Sequence, residues 1–520
     1  MSAPAPRPSP PSPSPEPADR HRLRGTLGAG SIVFMVVAAA APLTVVAGTV
    51  PLGLAAGNGA AFPMTFVLCA VVLLLFAVGF CAMSRHVPGA GAFYAYVARG
   101  LGAAPGLGSA FLALVTYTAV QAAVYGYLGA TVDALVQHHG GPALPWYLYA
   151  AAALVVAGVL GYRHIELSGR VLGTLLVAEV AIVLVFDAVV AATGGLGSGR
   201  STALFVPSQF LSGSLGIAIM FAIASFIGFE ATAVFRDEAR DPERTVPRAT
   251  YLALVLIGAF YTLSSWAVVS AWGDDGAVAR ATEDPGNMIV TTITAVLGPV
   301  GGDLAQVLLV TSLFAALLSF HNVLSRYLFA LGNAGSMPPA LGRSHARHAS
   351  PHAASAAQSG TALALIAVFA VTGMDPVTQV FAWMAGTATL GVLALMALTC
   401  AAVLVFFRRS RVDTRFWHTA LAPALGLAGL LVCLWLTVAN FPTLIGGPPA
   451  LALAIGGVLV AAFVLGTVLT RFTGARPETL PSPDAPGTVT GNDTAHDTAH
   501  DTAHDTAHDT AGTDLQEETR

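Results

Sequence analysis

Apolar runs of about 20 residues recur along this chain, separated by short polar segments, and that length is what one helix needs to cross the hydrocarbon of a bilayer. Charged residues make up only 10% of the 520 residues and hydrophobic residues 55%. Soluble domains carry about 25% charge, so the chain reads as an all-α polytopic membrane protein. About twelve transmembrane helices fit, near 26–50, 61–83, 103–136, 144–162, 168–193, 209–235, 249–271, 299–331, 356–372, 377–407, 418–440 and 449–470.

All 24 basic residues are arginine, which removes a buried lysine amine from the available chemistry. Their placement sets the expected orientation, because loops facing the cytoplasm collect positive charge. One set of loops and flanks holds Arg20, Arg22, Arg24, Arg85, Arg99, Arg163, Arg170, Arg236, Arg240, Arg244, Arg248, Arg326, Arg343, Arg347, Arg408, Arg409, Arg411, Arg415, Arg471 and Arg476. The other holds Arg200 and Arg280. Both termini are therefore expected in the cytoplasm, which an even number of spans satisfies.

Residues 1–19 are a Pro, Ser and Ala tract that cannot bury enough surface to fold, and they read as a disordered cytoplasmic tail. The tail at 472–520 reads the same way. Its DTAH repeat spaces His496, His500, His504 and His508 four apart, which on a helix would align imidazoles for a divalent metal. Repeated Asp and Thr oppose that helix, so no metal and no cofactor is expected. Cys69, Cys81, Cys400 and Cys433 stand singly in apolar spans and read as core filler.

Two spans carry features that hydrocarbon does not tolerate. In 221–250, FAIASFIGFEATAVFRDEARDPERTVPRAT, polar Ser225 and Glu230 flank Gly228 before the chain turns densely charged at Arg236, Asp237 and Glu238. Such groups at membrane depth face a cavity or protein interior. In the first span Pro42 sits mid-membrane, followed by Thr44 and Gly48, and proline opens or kinks a helix there. Two interrupted helices five spans apart are what a five-plus-five inverted repeat produces, with a ligand held between them near the midplane. An ordinary proline kink and a packing glycine are the plainer alternative.

The order SF-x-GFE-A, then EAR-x-P-x-R-x-x-P-R-A, resembles the sixth helix and following loop of bacterial amino-acid permeases of the amino acid-polyamine-organocation family. The resemblance covers roughly 22–410. SRHVPGAGAFYAYVARGLG at 84–102 resembles the loop between helices 2 and 3, RHIELSGRVLGTLLVAE at 163–179 the start of helix 5, and SFHNVLSRYLFALGNAGSMPPALG at 319–342 the end of helix 8. It implies a leucine-transporter-like core over 20–407, with repeats about 26–193 and 209–407, and two additional helices over 408–471. The family's frequent G-S/A-G element in helix 1 is replaced here by Ala40, Ala41, Pro42, Leu43 and Thr44, and Ala224 stands where some relatives have tryptophan.

The resemblance implies that a substrate carboxylate meets the opened backbone of helix 1 and its ammonium meets carbonyls of helices 1 and 6. Candidate substrate-binding residues are therefore Ala40, Ala41, Pro42, Leu43 and Thr44 in the first helix and Ala224, Ser225, Phe226, Ile227 and Gly228 in the sixth. Gln121 and Tyr125 in the third helix and Phe320 in the eighth join them, either as cavity lining or as interhelical glue. Phe226 and Phe320 are expected to gate the site. Glu179 falls where some proton-coupled members carry a lysine, and with Glu230 it is the candidate proton-coupling carboxyl, since an intramembrane carboxyl can load and release a proton as the cavity changes sides. Sodium is the rival ion, with Thr311, Ser312 and Ser319 flanking its position in related folds.

The expected function is secondary active transport of an amino acid or related amine across the cytoplasmic membrane by alternating access, as proton symport. An exchanger has the same sequence features. An integral-membrane enzyme would need clustered reactive residues, and no H-E-x-x-H or G-x-S-x-G pattern appears. A channel would need filter-like segments, also missing. The expected partners are the small substrate, a proton or sodium ion and the lipid bilayer, with no nucleic acid.

Overall fold

The computed structural model describes residues 28–87, 93–162, 169–196, 199–234, 239–343 and 351–473. The tail at 1–19, the histidine repeat and the charged residues Arg236, Asp237 and Glu238 lie outside them. Among the described residues every regular element is helical, and nine helices are long and apolar enough to cross a membrane.

The chain begins with α1 (Ala29–Ala39) and α2 (Pro42–Leu52), separated by Ala40 and Ala41. A break at Gly57 and Gly59 leads into α3 (Phe62–Ser84), followed by the short α4 (Phe93–Leu101) and the 36-residue α5 (Ala103–His138). Next come α6 (Trp146–Tyr162) and α7 (Gly169–Thr193), the single turn α8 (Pro207–Phe210), then α9 (Leu215–Ala224) and α10 (Ala231–Val234). Residues 225–230 between the last two run as consecutive turns. The remainder is α11 (Pro242–Trp272), α12 (Asp274–Glu283), α13 (Met288–Leu297), α14 (Pro299–Asn333), α15 (His352–Val371), α16 (Ala382–Ser410), α17 (Ala422–Ile445) and α18 (Pro449–Thr473).

Two parts of this layout depart from the sequence reading. The charged stretch after the sixth apolar run reads as a polar loop up to Arg248, yet α11 already starts at Pro242, so Glu243, Arg244 and Arg248 belong to its first turns. Proline at the first helical position and an acidic residue in the first turn both favour that start. The segment between the spans at 249–271 and 299–331 holds two short helices, α12 and α13, which start and stop at Gly273 and Gly298, both with positive φ.

The α12–α13 segment packs over one end of the bundle. Ser214 N donates to Gly57 O at 2.9 Å, Leu196 N to Ala271 O at 3.0 Å, and Asn58 Nδ2 to Phe210 O at 3.2 Å. Tyr127 donates from α5 to the Gly286 carbonyl at 3.3 Å, which pins the α12–α13 segment down. Arg200 and Arg280 lie at this end, and both are committed: Arg200 donates to the carbonyls of Ala191 and Ala192 at the end of α7, and Arg280 stacks 4.0 Å over Trp272. The opposite end carries α4 and the arginines of the α10–α11, α14–α15 and α16–α17 connections that fall within the described residues.

Between the ends, helices meet through small residues, as bundles in lipid do because close van der Waals packing replaces the hydrophobic drive between them. Gly426 of α17 sits so that a Cβ would meet the Phe76 backbone nitrogen of α3 at 2.9 Å. Lipid-facing surfaces are apolar, with Val155, Val185, Trp435 and Leu453 exposed. Gly426→Leu is expected to lower the thermal unfolding temperature of the detergent-solubilised protein, an overpacking cost of about 1–3 kcal/mol. Gly457→Leu, at a position on α18 with no atom within 4 Å of the added Cβ, is expected to leave it unchanged.

Candidate functional site

Both expected interruptions are present, and a buried carboxyl lies beside each. In the first, Ala41 adopts φ 46 and ψ 69, a left-handed conformation that L-residues other than glycine rarely take, immediately ahead of Pro42. The break frees the first amides of α2 from intrahelical partners. The Glu179 carboxyl of α7 lies beside one of them, the Leu43 N–H. Its Oε2 accepts from Ser312 Oγ of α14 at 2.9 Å, and Ser312 Oγ in turn accepts from Thr44 Oγ1 at 3.0 Å. Glu179 is buried, so the three elements α2, α7 and α14 converge on one carboxyl.

In the second, Gly228 has φ 111, a region open to glycine at no steric cost. Its freed N–H donates to Glu230 Oε2 at 2.8 Å, and Tyr117 of α5 donates to the other carboxylate oxygen at 2.8 Å. The interruptions are joined to each other by a hydroxyl pair, Thr49 Oγ1 and Ser225 Oγ, 3.0 Å apart. Within the second break Ser225, Phe226, Ile227, Phe229 and Glu230 are buried, while Ala224 and Gly228 keep accessible surface.

The remaining candidates fall into separate places. Phe226 packs its ring 6.2 Å from Tyr261 of α11, and Phe320 lies 6.1 Å from Tyr117, so the two expected gate residues sit on different neighbours. Tyr117 continues through Tyr327 to Tyr94 in an aromatic line on the arginine-rich side. Gln121 and Tyr125 line a small enclosed cavity against α15, where Gln358 donates to Gln121 Oε1. Gln121 Nε2 and the Tyr125 hydroxyl have no partner there among the described residues. His321 bonds Ser355 of α15 at 2.9 Å.

Sequence reasoning missed Thr49, Tyr117 and Tyr261 and met Ser312 only as a flank to a sodium position. Each is a polar or aromatic residue in an apolar run, and nothing in its spacing states which neighbouring helix it faces.

The sequence model of the amino acid permease family matches residues 31–473. The chain belongs to the amino acid permease family. Its relatives are transporters. It is 22% identical over 409 residues to the branched-chain amino acid permease BcaP of Lactococcus lactis subsp. cremoris, covering 73% of this chain and 82% of that protein. It is 27% identical over 422 residues to an uncharacterized transporter of Mycobacterium tuberculosis, covering 81% and 86%. The low-affinity putrescine importer PlaP of Escherichia coli is 23% identical over 328 residues, covering 61% and 69%. The protein is thus a multi-pass membrane protein of an amino acid transporter family.

The left-handed alanine is a local cost that glycine would not carry, of about 1 kcal/mol. Ala41→Gly is expected to raise the thermal unfolding temperature, and Ala41→Val, β-branched at a positive φ, to lower it in the same assay.

Proposed function

We propose that this permease is a secondary active transporter that moves an amino acid or related amine across the cytoplasmic membrane together with a proton, by alternating access around the two interrupted helices. The observation that carries the reading is the pair of opened segments, α1–α2 and α9–α10, tied together at Thr49 and Ser225 and each presenting freed backbone groups. Freed amides at a half-helix N-terminus carry partial positive charge and suit a substrate carboxylate, and exposed carbonyls suit an ammonium group. Candidate contacts are the backbone of Ala40, Ala41, Pro42, Leu43 and Thr44 and of Ser225, Phe226, Ile227 and Gly228, with Ala224 leaving space beside them. Relatives named for branched-chain amino acids, putrescine and L-asparagine support this substrate class.

The proposal places twelve passes in the membrane. The run Pro42–Ser84 is 43 residues long, which as one helix would span about 65 Å, twice the hydrocarbon thickness of about 30 Å. Its break at Gly57 and Gly59 makes it two passes, with α1 extending the first. α6, α9 with α10, and the long helices supply the others, arranged as a five-plus-five inverted repeat followed by α17 and α18. The arginine-rich end faces the cytoplasm by the positive-inside rule, together with both termini.

In this orientation the α12–α13 segment and the Gly57–Ser214 bond close the outer side, and Tyr117 with Glu230 and Phe320 closes the inner side. Glu179 is the coupling carboxyl. Loading it with a proton weakens its pull on the neighbouring Leu43 amide, leaving that amide to a substrate carboxylate, so ion and ligand cooperate at the same backbone group. Glu230 performs the equivalent holding role at Gly228.

Gly228→Leu is expected to abolish uptake of a labelled amino-acid mixture into proteoliposomes while insertion and yield stay normal, because a side chain at that φ cannot keep the opened backbone. Glu179→Gln is expected to lose accumulation driven by an imposed pH gradient, with and without sodium. Retained accumulation by Glu179→Gln would refute its coupling role. Uptake that needs preloaded substrate and ignores the pH gradient would make the protein an exchanger instead.

A further inference from the structure

A second carboxyl lies on the same helix as Glu179, and no part of the transport cycle above uses it. Asp187 of α7 is 2% exposed, eight residues beyond Glu179 and about 12 Å nearer the α12 end. Ser264 of α11 donates to its Oδ2 at 2.9 Å, while Oδ1 is buried with no partner among the described residues. One turn from Ser264 on the same helix, Tyr261 is 1% exposed and its hydroxyl is likewise buried without a partner. That hydroxyl lies within Coulomb reach of the Glu179 carboxyl.

Two orphaned polar atoms on facing helices, one an acceptor and one a hydroxyl, are rare in a folded interior, and water commonly completes such pairs. Nearer the α12 end lie further polar contacts. Ser201 N donates to Ser270 Oγ at 3.0 Å, and Ser201 Oγ donates to Asp274 Oδ1 at 2.5 Å, at the α12 end of the bundle. Glu179 itself connects to Ser312 and Thr44.

Other titratable groups on the helices around α7 are engaged elsewhere or far along the axis. α1, α2 and α13 carry none. On α14, Asp303 pairs with His138, His321 bonds Ser355, and Arg326 and Tyr327 lie four turns beyond Ser312. On α11, Glu243, Arg244, Arg248 and Tyr251 belong to the arginine-rich half. Asp187 thus meets α11 at Ser264, one turn from Tyr261, and shares its own helix with Glu179.

We propose that the α7–α11 interface is a proton-access route separate from the substrate path, with Asp187 as the relay carboxyl and Tyr261 as the hydroxyl between it and Glu179. This rests on the reading of Glu179 as the coupling group. A proton taken up by Asp187 from the outer side passes through Tyr261 and bridging water to the Glu179 carboxylate. Asp187 is left as carboxylate, held by Ser264 and ready to reload. The driving ion therefore reaches its site while the outer substrate opening stays closed.

The test uses the full-length protein in liposomes loaded with a pH-sensitive dye, with an acidic exterior. The twenty protein amino acids and putrescine, added together, start the reaction. Internal acidification is read, and equal-pH exchange of the same labelled mixture is measured in parallel, since exchange needs no net proton movement. Asp187→Asn is expected to slow acidification at least about tenfold, Tyr261→Phe to slow it too, and Asp187→Glu to restore it, all with exchange unchanged. Wild-type acidification by Asp187→Asn beside a silent Glu179→Gln overturns the route and leaves coupling at Glu179 standing. Joint loss of exchange and acidification in Asp187→Asn makes Asp187 a packing residue and overturns the route. Acidification that survives Glu179→Gln, or is absent in the wild type, removes the coupling reading and the route with it.

Discussion

A backbone amide opened inside a bilayer has no water to turn to, and the architecture of this protein follows from where it finds substitutes. At the break before Pro42 the Glu179 carboxyl lies beside the Leu43 amide, and at the break at Gly228 Glu230 takes the Gly228 amide. Each carboxylate is in turn tied to another helix, Glu179 through Ser312 to α14 and Glu230 through Tyr117 to α5. A change at either break is therefore felt by α14 and α5 as well. Replacing the amide's partner by a ligand, or its carboxylate by the protonated form, alters the same set of contacts.

The two ends of the bundle are held by different kinds of contact. On the α12 side the chain is stitched by backbone bonds, Ser214 to Gly57 and Leu196 to Ala271, which join segments distant in sequence. On the arginine-rich side the contacts are between rings, from Phe320 through Tyr117 and Tyr327 to Tyr94. Backbone bonds fix geometry, whereas stacked and edge-on rings tolerate sliding at small cost.

Ala41 shows a local rule broken at the first interruption. A residue that strongly prefers right-handed helix occupies a left-handed position between two helices. Pro42 forbids continuation, because its ring would clash with the preceding turn and it has no N–H to give. The proline imposes the break and the alanine absorbs the angle. Local strain of this kind persists only where surrounding contacts over-determine it, here the Thr49–Ser225 pair and the close packing of Phe381 and Tyr127 around Gly48.

By itself the sequence determined that the protein is helical and membrane-embedded, because hydrocarbon thickness imposes a length and a composition that can be counted. It also located both interruptions, since Pro42 and Gly228 act through their own backbones, and it marked Glu179 and Glu230 as costly at their depth. Partners were a different matter. That Gln121 meets Gln358, that Phe226 packs on Tyr261 while Phe320 packs on Tyr117, and that Ser312 bridges Glu179 to Thr44 are decided by which helix faces lie together. In a chain whose helices are apolar all round, periodicity names no inward face. Only the tertiary structure, through small-residue contacts such as Gly426 on Phe76, sets the rotation of each helix and so chooses which polar groups meet.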